Sequence, residues 1–273
     1  MFAGECWWIT GASSGIGEGL ARALSARGAQ LILSGRNVRA LESVARDCGE
    51  AIVLPFEATD YDRIPGIADR AWSWKGRVHG LVNNAGITQR ALALETQFAV
   101  YQRIIGVDLL GPIALTQALL PRMVKAGGGR IVAIASVAGI AGVPMRTAYC
   151  AAKHGLVGYH DAVRAETEHL GVQVHVIAPG SIRTNVSRNA LQGDGSRRGV
   201  SDPAIDNGLP VSEASEAILA AVQAGKRELV LASGMELEVA ALRRKDPDAL
   251  YDRLSAMMRE GYAQRMAADA ANK

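Results

Sequence analysis

The chain has 273 residues, of which 49% are apolar and 21% charged, with 30 glycines and a formal net charge of +3. This balance excludes a disordered chain, and the glycines follow no G-X-Y repeat, so collagen is excluded as well. So small a charge excess, spread along the sequence, is not the concentrated basic surface that recognition of a nucleic-acid backbone needs, and no nucleic-acid partner is expected.

The first expected strand, Cys6 to Thr10, runs into a glycine turn from Gly11 to Gly17. A helix carrying Leu20, Ala23 and Leu24 follows and ends at Gly28. A strand at Leu31 to Ser34, a helix from Val38 to Cys48 and a strand from Ala51 to Phe56 come next. Residues 62–76 read as a helix and Val78 to Asn83 as a strand. Residues 98–125 read as one long helix or two, stopped by Gly127-Gly128-Gly129. Arg130 to Ala135 is a strand, Tyr149 to Leu170 a helix, and Val172 to Ile177 a strand that ends at Pro179-Gly180. Residues 186–210 lack periodicity and read as a long loop or mobile helical lid, with Gly193 to Ser196 its most flexible stretch. Ser212 to Ala224 returns to helix, Glu228 to Ala232 is a seventh strand, and Met235 to Lys273 reads as a helical tail with a stripe of Leu250, Leu254, Met257 and Met258.

Short, continuously apolar strands alternating with helices predict an α/β fold: one doubly wound Rossmann domain around a mostly parallel seven-stranded sheet. The catalytic domain is expected over residues 1–234, lid included, with residues 235–273 as a helical extension packed on the same domain or on a partner subunit. Cys6, Cys48 and Cys150 lack metal-ligand spacing and cannot all pair with one another, so they read as reduced thiols of a cytoplasmic protein with no metal site. Cys6-Trp7-Trp8-Ile9 leads directly into the glycine turn with no cleavage region. The apolar runs fall short of the roughly 18 residues of a spanning helix, so neither a leader nor membrane insertion is expected.

Two ends of a site stand out. Gly11, Ser13, Ser14, Gly15, Ile16 and Gly17 lie between a strand and a helix, where backbone N–H groups and a helix N-terminus can receive a pyrophosphate. Gly11 permits the tight turn, Gly15 the approach of phosphate, and Gly17 close helix–strand packing. The second strand ends at Ser34-Gly35-Arg36, with no carboxylate to accept from a ribose 2′-OH. Arg36 offers a planar fork for a 2′-phosphate instead, so NADP(H) is the expected cofactor and NAD(H) the second candidate. At the chemical end, Ser136 closes a strand, while Tyr149 and Lys153 stand four apart at a helix start and share one face. A phenol is a poor base near neutrality, and an ammonium beside it favours the phenolate. Ser136 can orient a substrate oxygen, Tyr149 can exchange a proton with it, and Lys153 can hold both the phenol and ribose hydroxyls.

On these residues the chain resembles the short-chain dehydrogenase/reductase family. Its glycine pattern is matched by Thr10 to Gly17, its second signature by Asn83-Asn84-Ala85-Gly86, and its active site by Ser136, Tyr149 and Lys153. Pro179-Gly180-Ser181-Ile182-Arg183-Thr184 matches its nicotinamide-side loop. The resemblance implies that Asn83 orders the sheet, and that Asn84, Ala85 and Gly86 pass beside the cofactor. It also implies that Pro179, Gly180, Ile182 and Thr184 contact the nicotinamide half. Two positions depart from the pattern. Glu57, followed by Ala58, stands where the family usually places Asp near the adenine, and Asp60 is expected to cap the next helix. Asp108 stands where relatives commonly carry Asn, a residue said to hold a helix irregularity whose backbone binds a water of the proton relay. Asp lacks the amide donor, and its charge can support Lys153 but tends to raise the tyrosine pKa; the relay is expected to survive because its water contact is attributed mainly to backbone.

Val137, Ala138, Ile140, Ala141, Val143, Pro144 and Met145 are expected either to wall the cleft, which suits a small apolar alcohol or ketone, or to pack the fold. The tail and the Asn185-to-Gly195 region resemble the branch related to vertebrate dehydrogenase/reductase member 7, which implies bulky apolar substrates. Membrane-linked members carry an N-terminal apolar segment not found in this sequence. The family commonly forms dimers or tetramers, here through helices near residues 100–125 and 150–170. The expected activity is interconversion of a secondary alcohol and a ketone. The alternatives are a steroid- or retinoid-directed dehydrogenase, a related epimerase, or an NADP-binding regulatory protein without turnover.

Overall fold

The computed structural model describes residues 2–271, so Met1 and the last two residues of the expected tail, Asn272 and Lys273, lie outside the described residues. Seven strands form one sheet: β1 (Cys6–Thr10), β2 (Gln30–Ser34), β3 (Ala51–Val53), β4 (Gly80–Asn83), β5 (Gly129–Ile134), β6 (Val172–Pro179) and β7 (Glu228–Leu231). Their order is β3-β2-β1-β4-β5-β6-β7, and every neighbouring pair is parallel. Parallel neighbours need long crossovers, and helices supply them. These are α1 (Gly15–Ser25), α2 (Val38–Asp47), α3 (Ile64–Lys75), α4 (Phe98–Ile105), α5 (Gly111–Lys125), α6 (Thr147–Thr167), the short α7 (Pro203–Asp206) and α8 (Val211–Gln223). Then come α9 (Gly234–Lys245), α10 (Pro247–Arg259) and α11 (Tyr262–Ala271).

Strand geometry sends neighbouring side chains to opposite faces, and β1 shows the result. Trp7 and Ile9 pack with Leu20, Leu24 and Ile218 on one face, whereas Cys6 and Trp8 pack with Ile67, Leu119 and Val163 on the other. Both faces are covered, so β1 is buried along its whole length. The Trp8 indole finds its acceptor in the Ser34 Oγ at 2.8 Å, and that hydroxyl donates to the Leu54 carbonyl at 2.6 Å. β3 is shorter than its apolar run: Leu54 N still bonds Leu33 O at 2.9 Å, but Pro55 has no N–H with which to continue.

The segment from Phe98 to Lys125 is one continuous helix of 28 residues, long and apolar enough by composition to cross a membrane. The expectation from uninterrupted runs missed this, because Asp108 and Gln117 break the run without making the helix polar. Its Leu115, Leu119 and Met123 are buried against the sheet, which marks an interior helix of this fold.

Two segments are decided by distant partners. The region 186–210 is a fastened cap. Leu191 exchanges backbone bonds with the chain after β4 (Leu191 N to Thr88 O and Arg90 N to Leu191 O, both 2.8 Å), and Ser187 and Ser201 hydroxyls meet at 2.9 Å. The Gly193-to-Ser196 tip is tied as well, through Gln97 N to Gly193 O at 2.8 Å and Ser196 N to Asp194 Oδ1 at 2.9 Å. Local composition could not reveal these partners, which come from elsewhere in the chain. The apolar run after Ser136 forms the floor for the extension: Val137 and Ala141 are buried with Val239, Ala240 and Leu250, and Ile140 and Leu254 pack alongside. Replacing fully buried Leu250 with Ala should therefore cost about 2–5 kcal/mol and lower the urea midpoint in a single transition that includes the catalytic domain. A separate early transition for the extension would contradict this packing.

Candidate active site

The strand order reverses between β1 and β4, so the connections leaving these two strands diverge and open a crevice at their carboxyl ends. The crevice is a cavity of about 770 Å³. Its phosphate end is built by clamps between the two turns. Thr10 Oγ1 accepts from Asn84 N at 3.0 Å and Ala85 N at 3.1 Å, and Asn84 Nδ2 donates to Thr10 O at 2.9 Å. Gly11 has φ +65°, and a Cβ there would lie 2.9 Å from Ala85 Cα, so only glycine lets the turns close. Asn83 is buried and donates to Thr116 Oγ1 at 3.0 Å, which ties β4 to α5.

Gly11, Ser13, Ser14, Gly15, Ile16, Arg36, Glu57, Ala58, Asn84, Ala85 and Gly86 all line the cavity. So do Asp108, Ser136, Tyr149, Lys153, Pro179, Gly180, Ile182 and Thr184. Gly17 does not. It lies behind the turn, where a Cβ would be 2.4 Å from Gly11 O, so its part is helix–strand packing rather than ligand contact. The Asp60 side chain makes no cap hydrogen bond and instead faces Arg63 at 3.5 Å. Ser136 lines the cleft, while of the apolar segment expected either to wall it or to pack the fold, Val137, Ile140 and Ala141 turn to the extension. The turn itself explains this: Ser136 Oγ accepts from Ala138 N at 3.1 Å and starts a 3₁₀ turn over Val137–Gly139. The apolar lining comes from Ile87, Val186, Leu191 and Ile205, residues brought in by the chain after β4 and by the cap.

The cradle of N–H groups, the two serines and the arginine at the end of β2 fit a dinucleotide. The extension reaches this site too. Glu236, on α9, accepts from Ser181 N at 2.7 Å and Ser181 Oγ at 2.8 Å, bracing the loop that carries Gly180, Ile182 and Thr184. No local signal in the sequence marked Glu236 for this.

At the chemical end, Lys153 is buried, with its Nζ donating to Ile134 O at 3.0 Å and lying 5.6 Å from the Tyr149 ring centre. Asp108 sits in a π-helical turn, Gly106–Leu110, joining α4 to α5. Its Oδ1 accepts from Ile87 N at 2.8 Å and its Oδ2 lies 3.3 Å from Lys153 Nζ. Asp108 thus contacts the lysine directly. Burial pushes its carboxyl up to about 6, against the pull of Lys153. Burial draws the Lys153 ammonium down, but the Asp108 charge, joined by Tyr149 and the Asp108 hydrogen bond, outweighs it and leaves the group above its ordinary value. Both are therefore charged at neutral pH. Because the folded carboxyl lies above its ordinary value of 3.8, its protonated form stabilises the fold at low pH, and that contribution is lost as pH rises through about 6. Asp108→Asn should fold, keep appreciable turnover and lose an inflection near pH 6 in both the stability and kcat/KM profiles. An inflection that persists in the variant, or complete loss of turnover in a folded variant, would contradict the assignment.

Residues 5–195 match the sequence profile described as short chain dehydrogenase. Dehydrogenase/reductase SDR family member 7B of Danio rerio is 39% identical over 258 residues, covering 91% of this chain and 83% of that protein. Among solved structures, a short-chain dehydrogenase from Burkholderia cenocepacia in complex with NADP has a TM-score of 0.79 and 27% identity over 93% of this chain and 98% of its own. A short-chain dehydrogenase from Streptomyces avermitilis has a TM-score of 0.77 and 28% identity over 95% of this chain and 97% of its own. With the glycine cradle, Ser136, Tyr149 and Lys153 assembled in one crevice, the chain belongs to the short-chain dehydrogenase family and is an NAD(P)-dependent oxidoreductase.

Proposed function

We propose that the protein interconverts a secondary alcohol and a ketone with an apolar body, using NADP(H) in preference to NAD(H). The observation that carries this reading is the meeting of Ser136, Tyr149 and buried Lys153 at one end of a cavity that holds the glycine turn and Arg36 at the other. Bound nicotinamide supplies or takes up the hydride. Ser136 Oγ orients the substrate oxygen, and Tyr149 Oη gives that oxygen a proton in reduction and removes one in oxidation. Lys153 keeps a positive charge beside the phenol, and Asp108 positions it. Ile87, Val186, Leu191 and Ile205 favour an apolar body around the carbonyl.

Cofactor choice rests on Arg36. Its guanidinium lies 3.5 Å from Glu57, and both side chains are substantially exposed, so the pair holds by at most about 1 kcal/mol and yields to a 2′-phosphate. A regulatory protein without turnover would leave the buried Asp108–Lys153 pair beside Tyr149 without a purpose.

The decisive measurement is a panel of ketones and secondary alcohols, steroids and retinoids included, run with NADPH and NADH. NADPH-dependent reduction of apolar ketones is expected, with Tyr149→Phe lowering kcat at least about 100-fold while cofactor binding persists. Arg36→Ala should raise the KM for NADPH about tenfold and leave that for NADH nearly unchanged. No turnover across the panel despite NADPH binding would favour the regulatory alternative, and tighter NADH binding would overturn the cofactor preference.

The same reading includes self-association through α4, α5 and α6. Leu110 and Phe98 leave apolar surface exposed on this helical run. Light scattering at micromolar concentration should give a dimer or tetramer; a monomer would refute it.

A further inference from the structure

Two charged side chains in the crevice take no part in the chemistry above. Arg103 on α4 and Arg197 on the cap both border the cavity, and both are exposed. Among the described residues neither side chain has an ion-pair or hydrogen-bond partner. The fold brings their segments together. Gln97 N bonds Gly193 O at 2.8 Å, and a Cβ on Gly195 would lie 3.8 Å from Val100 Cγ2. Arg103 follows Val100 by three residues and so shares its side of the helix. Arg197 follows Gly195 and bridges antiparallel to Leu191, itself part of the apolar lining.

Three guanidiniums converge on one carboxylate where the cap is seated. Arg90 lies 2.6 Å and Arg146 3.6 Å from Asp202, and Arg198 pairs with its other oxygen. Arg90, Arg198 and Asp202 are all nearly inaccessible. Burial first, and repulsion from Arg146 second, draw the Arg90 guanidinium down to about 10. Three guanidiniums against one carboxylate leave a formal positive excess where the cap is seated. Asp194 accepts from Ser196 and makes no ion pair with Arg197 among the described residues.

We infer that the substrate carries an anionic group, a carboxylate or phosphate, at the far end of its apolar body from the reacting carbonyl, and that Arg103 and Arg197 receive it. The inference rests on the ketone–alcohol reading and narrows its substrate class from apolar to amphipathic and acidic. Planar guanidinium forks suit both kinds of oxyanion. The phosphates of the cofactor are served elsewhere, by the Gly11-to-Gly17 turn and Arg36, which leaves these two arginines for the substrate.

The test compares an oxodecanoate, with its ketone beside the terminal methyl group, with its neutral methyl ester. Wild type and the double variant Arg103→Gln/Arg197→Gln are assayed for turnover with NADPH, and the binding of each compound to the cofactor-loaded protein is measured by calorimetry. The acid should be used about tenfold better than the ester at low salt, through KM, and added salt should erase the difference. The double variant should lose that tenfold for the acid alone, with the ester and the KM for NADPH unchanged. An organic phosphate added as competitor should inhibit the wild type more than the variant. Equal binding of acid and ester, an equal loss for both in the variant, or a raised KM for NADPH would overturn the proposal. If neither compound is reduced but the acid binds through the two arginines, the anion subsite stands and the ketone reading fails.

Discussion

The structure depends on bringing the turn after β1 against the turn after β4. The two strands are parallel neighbours at the point where strand order reverses, so their outgoing connections separate and leave the crevice between them. Thr10 and Asn84 lock the two turns with hydrogen bonds to main-chain atoms, and the absence of a Cβ at Gly11 allows the approach. A bulkier residue there would part the turns and widen the phosphate cradle, however sound the rest of the sheet. Continuous burial of β1 between two helical layers gives this junction a rigid base.

A second constraint lies at the chemical end. A buried lysine needs a partner, because an isolated ammonium in a dry interior costs several kcal/mol. Asp108 provides it from the π turn, and Gly86 makes room: a Cβ there would lie 2.8 Å from Asp108 Oδ2. The π turn is what allows a helix passing the cleft to aim a carboxylate at Lys153 while its backbone stays within one continuous rod. The pair fixes the charge of the lysine and makes it answerable to pH through the acid.

The remaining walls come from late in the chain. The cap is held by Arg90 and Asp202, and the nicotinamide-side loop by Glu236 from the extension. The extension therefore does more than add core around Leu250. It braces the loop carrying Gly180 and Ile182, so stability of the extension and shape of the site are physically linked.

Much of this was legible in the sequence because it is local. Continuous apolar strands, helix-length spacers and the glycine turn follow from backbone sterics and burial within a few residues. The spacing of Tyr149 and Lys153 follows from the helical repeat, and their placement with Ser136 followed from the family pattern. What the sequence left open involves partners far apart along the chain. The cap looked like a free loop because its ties, Arg90 to Asp202 and Leu191 to Thr88, join segments more than a hundred residues apart. Val137 and Ala141 carried no sign of facing the extension rather than the cleft, since an apolar side chain is equally suited to either. The sequence by itself determined the sheet, the glycine turn and the spacing of Tyr149 and Lys153 on one helix face. Only the tertiary structure decided which apolar residues line the cleft, that Asp108 touches Lys153, and where unpaired charge remains, because each depends on which distant surfaces meet when the sheet closes.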